Sequence, residues 1–326
     1  MINAETIIVG SGPAGAAAAW ELKRQGRECL LLDRESFPRE KLCAGWITPE
    51  VLADLEFAPE DYPHRFLTFD ELHVCVKGLP VSMATRQHSV RRYEFDQWLV
   101  ARSGVPLYEH TVRSVVGDAE GYTIDGAFQC RYIIGAGGTR CPVYRELFRP
   151  GAPRSKPLQT VTMELEYPCQ WSDPRCHLWF FDKGLRGYSW YVPKADGYLN
   201  IGVGGMAERL ARNDDHIRRH WQNLLERLLR AGLLSQVPSQ TPHGYSYYLW
   251  SEGASNVGQA NNAGAYLVGD ALGLASRDMC EGIGPAVRSG LQAARAIAGD
   301  HPYRPDIRPH TLSSRWLGST LARFLA

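Results

Sequence analysis

Apolar and polar positions along this chain follow two different periods, and the changes of period divide it into segments. Residues 4–9 (AETIIV) are a β-branched run that ends in Gly10-Ser11-Gly12-Pro13-Ala14-Gly15, and residues 13–25 continue with small apolar side chains at helical spacing up to Gly26. A second apolar run, residues 28–32, closes on Asp33, so the opening reads as strand, glycine turn, helix, strand. Between 66 and 90 the pattern shortens to alternating runs, 72–76 (LHVCV) and 79–83 (LPVSM), which predicts strands of a second sheet. Residues 90–99 return to helical spacing with Phe95, Trp98 and Leu99 on one face, 105–126 read as hairpin sequence, and 130–134 as a strand entering the glycine-rich segment 135–140. From 158 to 249 aromatic-rich alternating strands dominate, interrupted by one amphipathic helix at about 214–231. A strand at 265–268 then leads to Asp270, and a helix follows from about Gly282 to Gly299. The expected architecture is α/β: a Rossmann-type domain of residues 1–65, 88–150 and 255–300, an inserted antiparallel β-sheet domain of residues 66–87 and 151–254, and a tail of residues 301–326.

The first turn carries recognisable chemistry. Gly10 permits the tight turn, Gly12 lets the backbone approach a pyrophosphate, and Gly15 lets the helix press against the strand. Pro13 stands in the first helical turn, where its missing N–H costs nothing, and with Ala14 it leaves the helix N-terminus open to phosphates. Asp33 lies twenty-three positions after Gly10, where a carboxylate accepts the hydroxyls of an adenosine ribose. A glycine turn that serves only packing is the alternative, and the strand, helix and acid around it argue against that.

Composition narrows the partner. With 36 basic and 35 acidic side chains the chain has no net field to recruit nucleic acid, which leaves a small molecule. The eight cysteines show neither a CxxC nor a zinc-like spacing and read as reduced thiols. The longest near-apolar stretch, residues 12–20, is too short to span a bilayer, so a cytoplasmic protein is expected.

Residues 34–46 have no clean helix or strand period and form a long loop containing Lys41-Leu42-Cys43-Ala44-Gly45. This segment resembles the Lys-x-Cys-Gly-Gly core of the geranylgeranyl reductase family of FAD-dependent oxidoreductases, itself close to the para-hydroxybenzoate hydroxylase fold. The resemblance implies FAD as cofactor and places Cys43, Ala44 and Gly45 beside the flavin ring, with Arg34 as a further cofactor contact and Cys43 as a catalytic candidate. Ala44 departs from the pattern, and a small buried apolar residue is the plain alternative for Cys43. Residues 92–99 are similar to the family's Arg-x-x-Phe-Asp-x-x-Leu helix, which makes Arg92 a flavin contact, unless it is a surface arginine at a helix start. The family's Gly-Ala-Asp-Gly run appears as Gly135-Ala136-Gly137-Gly138, so Gly137 keeps the close backbone approach but lacks the aspartate tied to nicotinamide handling. NAD(P)H or a separate reductase is therefore the expected electron donor.

Tyr188-Ser-Trp190-Tyr-Val-Pro193 resembles the reductases' Tyr-x-Trp-x-Phe-Pro motif, whose Tyr and Trp contact an elongated apolar substrate; flavin halogenases carry a related Trp-x-Trp-x-Ile-Pro run. Tyr188 and Trp190 share a strand face and are catalytic candidates, with ordinary sheet core as the alternative. Asp270 matches the second FAD motif, and Gly282-Ile283 opens a helix whose N-terminus would face the flavin. Together the motifs imply hydride delivery from reduced flavin to a carbon–carbon double bond of a prenyl-like substrate, with an unidentified proton donor. A monooxygenase or halogenase acting on an aromatic ring is the rival, and a non-catalytic flavin carrier the third reading. The resemblance covers residues 4–299. In the tail, Trp316, Leu317, Leu321, Phe324 and Leu325 would form one apolar helical stripe, for docking on the protein itself, on a second copy, or peripherally on a membrane.

Overall fold

The computed structural model describes residues 1–149, 154, 158–212, 214–251, 264–299 and 301–305. The apolar stripe expected at 316–325 lies outside the described residues, as do the expected domain boundaries at 150–151 and 254–255. The chain forms two compact units: Met1–Arg39, Tyr93–Ser155 and the segment from Tyr247 make the first, Glu40–Arg92 and Lys156–Ser246 the second.

In chain order, β1 (Ile2–Val9), α1 (Pro13–Arg24) and β2 (Cys29–Asp33) form the opening unit. The second unit then supplies β3 (Trp46–Ile47), α2 (Pro49–Asp54), β4 (Leu67–Val76) and β5 (Leu79–Ser89). Helix α3 (Arg92–Ser103) leads to β6 (Leu107–Glu109), β7 (Val115–Gly117), β8 (Tyr122–Ile124) and β9 (Phe128–Gly135). After them come β10 (Gln159–Pro168), β11 (Cys176–Phe180), β12 (Gly187–Lys194), β13 (Tyr198–Met206), α4 (Ala207–Arg212), α5 (Ile217–Arg230) and β14 (His243–Tyr248). The chain closes the first unit with β15 (Ala265–Leu267) and α6 (Ile283–Ala298).

The first unit is the Rossmann-type layer. Its sheet runs β6-β2-β1-β9-β8-β7, and β15 also pairs with β9. Strands β2, β1, β9 and β15 are parallel, with Val9 opposite both Leu32 and Gly135. Ile7 and Ile8 point to opposite faces and both are fully buried, as a parallel strand covered on both sides requires. β6 joins β2 in parallel at the edge, whereas the sequence suggests a hairpin for the whole of 105–126; only β7 and β8 form one.

The second unit is an eight-stranded sheet in the order β14-β10-β13-β12-β11-β4-β5-β3. The pairs β10–β13, β13–β12, β12–β11, β4–β5 and β5–β3 are antiparallel, whereas β11 runs parallel to β4. No hairpin joins those two strands, so no short turn dictates their direction. From the sequence, 40–65 and 88–92 are expected with the first domain; the structure groups Glu40–Arg92 with this sheet, because β3 pairs with β5, Trp46 opposite Ser89. One face, with Leu165, Tyr167, Tyr191, Leu199, Ile201 and Val203, packs against Trp221, Leu224 and Leu228 of α5. The other face carries Glu164, Glu166, Tyr188, Trp190, Lys194 and Asn200.

Candidate functional site

In the first unit, the turn after β1 is built for close backbone approach. Gly10 has φ +105°, and a side chain there would lie 2.5 Å from the Ala136 carbonyl oxygen and 2.7 Å from the Gly137 nitrogen. Gly12 caps α1 without a side-chain hydrogen bond, Pro13 and Ala14 follow it, and no acid occupies the first turn. The early N–H groups of α1 are thus left for an anion. Gly15 lets α1 approach the turn, since a Cβ there would meet Gly10 oxygen and the Ile8 side chain. Asp33 Oδ2 accepts the Ser11 N–H at 2.7 Å and Oδ1 accepts the Glu35 N–H at 3.2 Å, which fixes the carboxylate beside the turn with lone pairs to spare for ribose hydroxyls. The Ser11 hydroxyl is buried here with no hydrogen-bond partner among the described residues. Arg34 does not join this cluster: its guanidinium pairs with Glu35 at 3.0 Å and is mostly exposed.

Sequence reasoning missed Arg39. Its Nη2 lies 3.6 Å from where a Gly12 Cβ would stand and pairs at 3.3 Å with the buried Asp96 of α3. This puts a held positive charge at the glycine turn. The Arg-x-x-Phe-Asp spacing was the available signal, since Asp96 is its acid.

Gly137 precedes a single helical turn at Gly138–Arg140, and a Cβ there would lie 3.1 Å from Cys141 Cα and 3.2 Å from Pro142 Cδ. A side chain at this position needs its neighbours to give way. Asp270 and Gly282 meet, with 3.5 Å between Asp270 Oδ1 and an added Gly282 Cβ. Ile283 is the buried first residue of α6. The adjacent Glu281 accepts the Gly284 N–H through Oε1 at 2.5 Å, and burial pushes its carboxyl up to about 7. Burial likewise pushes the Cys280 thiol up to about 12, which makes it a poor nucleophile.

In the second unit, the loop of Cys43, Ala44 and Gly45 is tied to the polar face of the sheet. Lys194, fully buried, gives its three N–H groups to the Val90 carbonyl (2.7 Å), the Cys43 carbonyl (3.3 Å) and Glu166 Oε2 (2.7 Å). Asn200, equally buried, donates to the Cys43 carbonyl at 3.2 Å and to Glu164 Oε2 at 3.3 Å, and accepts the Trp190 indole N–H at 2.6 Å. Arg91 pairs with Glu166 at 3.2 Å and lies 3.4 Å over the Tyr198 ring. Arg92, next to it at the start of α3, is buried rather than on the surface.

Trp190 is 4 % exposed, and its indole lies over Gly202: a Cβ there would be 2.2 Å from Trp190 Cζ2. Gly202 and Gly204 of β13 thus leave room for the indole, and Gly205 leaves room for Leu185 and the Arg186 carbonyl. Tyr188, half-buried, stacks on Phe180 at 4.8 Å and meets Trp190 at 5.5 Å between ring centroids. Lys194, Glu164 and Glu166 were not singled out from the sequence, whereas Asn200 opens the run that resembles the reductases' Asn-Val-Gly strand. The period of two along β12 does put Lys194 on the face of Tyr188 and Trp190.

The residues of the first unit fit FAD: a side-chain-free cradle at Gly10 and Gly12, a fixed ribose acid at Asp33, a buried hydroxyl at Ser11, and Asp270 beside Gly282 for the ribityl and flavin end. Among the described residues no helix is long and apolar enough to cross a membrane.

Comparison with known proteins agrees. The family model for an NAD(P)-binding Rossmann-like domain matches residues 8–71. A menaquinone reductase of Mycobacterium tuberculosis is 28 % identical over 99 % of this chain and 83 % of its own. Digeranylgeranylglycerophospholipid reductase 1 of Methanopyrus kandleri is 27 % identical over 61 % of this chain and 57 % of its own. The crystal structure of a geranylgeranyl bacteriochlorophyll reductase-like protein from Thermoplasma acidophilum superposes with a TM-score of 0.76 at 17 % identity, over 92 % of this chain and 79 % of that one. The chain is thus similar in sequence to reductases of menaquinone and of a digeranylgeranyl lipid, and it has the fold of the geranylgeranyl bacteriochlorophyll reductase-like protein.

Proposed function

We propose that this oxidoreductase reduces carbon–carbon double bonds of an apolar, prenyl-like small molecule. The observation that carries the proposal is the Asn200 side chain, which joins the Cys43 carbonyl to the Trp190 indole. The loop and the strand in which the reductase resemblance resides are thereby held on one sheet face. Bound FAD, once reduced, supplies the hydride. The protein's part is to orient the substrate: Tyr188 and Trp190 offer an aromatic surface for an alkene, and Asn200 holds the Trp190 indole N–H. The names of the relatives, reductases of menaquinone and of a digeranylgeranyl lipid, support a prenylated substrate. We assign the electrons to NAD(P)H or to a separate reductase. Gly137, in place of the family's aspartate, favours the separate reductase.

The test is an anaerobic single turnover. Protein reduced with dithionite is mixed with a geranylgeranyl-type alkene, the flavin absorbance is followed, and the product is weighed by mass spectrometry. Reoxidation of the flavin with gain of two hydrogens in the product is expected. No reoxidation by any prenyl alkene, together with oxygenation of an aromatic substrate once air is admitted, would replace this reading with a monooxygenase.

A further inference from the structure

The sheet face that carries Tyr188 and Trp190 also carries a carboxyl group with no role assigned so far. The strand register sets Glu164 of β10, Gly202 of β13 and Trp190 of β12 in one row across the sheet. Gly202 has no side chain, and its neighbours fill the space from both sides: a Cβ there would lie 2.2 Å from Trp190 Cζ2 and 2.8 Å from Glu164 Cβ. Glu164 thus lies beside the edge of the indole, and Asn200, the same amide that holds the indole, donates to its Oε2 at 3.3 Å. The opposite face of the sheet is taken up by the α5 core, so the carboxyl belongs to the face of the substrate aromatics.

Reduction of an isolated double bond consumes a hydride and a proton. We propose that Glu164 is the proton donor of this reduction, an inference that rests on the function proposed above. Its O–H bond breaks, and the π electron pair forms the new C–H bond at the carbon that does not receive the hydride. The two electrons of the reduced FAD enter the product with the hydride, the carboxylate is reprotonated from water, and NAD(P)H or the separate reductase restores the flavin.

The surroundings suit both states of the acid. Burial raises its pKa to about 7, so a neutral carboxylic acid is available near neutral pH. Lys194 from β12 and Lys41 from the loop act in the other direction, Glu166 on the same strand opposes them, and Arg91 is engaged with Glu166. Once the proton has left, the Asn200 N–H remains bonded to the carboxylate and the positive charges of the two lysines stabilise it. The donor is present below about pH 7, so the rate of alkene reduction should hold at low pH and fall as pH rises through that value.

Two variants and a spectroscopic readout test the assignment. Glu164→Gln keeps the size and an acceptor for Asn200; flavin reoxidation by the alkene should slow about 100-fold, with FAD content and dithionite reduction unchanged. Glu164→Asp should recover part of the rate. The wild-type rate should fall with rising pH, and that of Glu164→Gln should not. Independently of turnover, infrared titration of the apoprotein should show the carbonyl band of a protonated carboxylic acid that Glu164→Gln lacks. An unchanged rate in Glu164→Gln, or absence of that band, overturns the proton-donor assignment and leaves the reaction standing. Failure of the wild-type protein to reduce any alkene overturns the reaction and the assignment together.

Discussion

The indole N–H of Trp190 donates to Asn200 Oδ1 at 2.6 Å, while the amide nitrogen of the same asparagine holds the Cys43 carbonyl at 3.2 Å and Glu164 at 3.3 Å. One buried side chain thereby joins three segments far apart in sequence. Its oxygen and nitrogen are distinguished by their partners, since an indole N–H only donates and a carbonyl only accepts.

Asn200→Ala removes all three bonds and leaves buried partners unsatisfied. A loss of about 2–4 kcal/mol in stability is expected, read from the urea unfolding midpoint. Protection of the 40–46 backbone in hydrogen exchange should fall as well. Unaltered exchange in that loop would show that Lys194 alone suffices to hold it.

The purified protein should be yellow and release FAD, not FMN, on denaturation, because Asp33 and the glycine turn address the adenosine half that FMN lacks. Asp33→Ala should weaken FAD binding about 10- to 100-fold, the range of one charge-assisted hydrogen bond. Asp270→Ala and Arg92→Ala should act in the same direction. Equilibrium binding of FAD to the apoproteins measures each.

Gly202→Ala inserts a methyl group into the Trp190 ring and against Glu164 Cβ. Overpacking of this kind costs about 1–3 kcal/mol, and here it displaces the indole. FAD content should stay near that of the wild type while alkene binding weakens. Equal loss of both would mean that the row Glu164, Gly202, Trp190 supports the whole fold rather than the substrate surface.

Two buried acids give stability a pH dependence. Burial raises both Glu164 and Glu281 from an ordinary value of 4.5 to about 7. In that interval the folded protein holds protons that the unfolded chain has released, so stability should fall as pH rises from about 4.5 to about 7 and level off above. Urea unfolding across this range checks the slope. Glu164→Gln should flatten it, and the double variant Glu164→Gln/Glu281→Gln should flatten it further.

The dinucleotide turn was legible because its chemistry is local. Gly10, Gly12, Pro13 and Gly15 are adjacent in the chain, and Asp33 follows after one helix and one strand, so spacing alone carries the geometry. The same holds for Asp270 and Gly282, joined by a short connection. Arg39 was not legible: its place at the glycine turn depends on Asp96, fifty-seven positions away. Lys194 reads in isolation as a solvent-facing strand lysine, and only the carbonyls of Val90 and Cys43 and the carboxylate of Glu166 make its full burial tolerable.

The amino-acid sequence by itself determined the strand–turn–helix–strand opening, the position of Asp33 at the end of β2, the class of the fold and the strand face shared by Tyr188 and Trp190, because each follows from backbone sterics and short-range periodicity. The tertiary structure alone decided that Glu40–Arg92 belongs with the second sheet, that β4 runs parallel to β11, and that Glu164, Asn200 and Lys194 meet beneath Trp190 and the Cys43 loop. Those outcomes depend on strand register between segments separated by a hundred residues or more in several cases, as between Cys43 and Asn200. A one-residue slip of β10 against β13 would turn Glu164 to the opposite face of the sheet, and only packing of the whole unit excludes it.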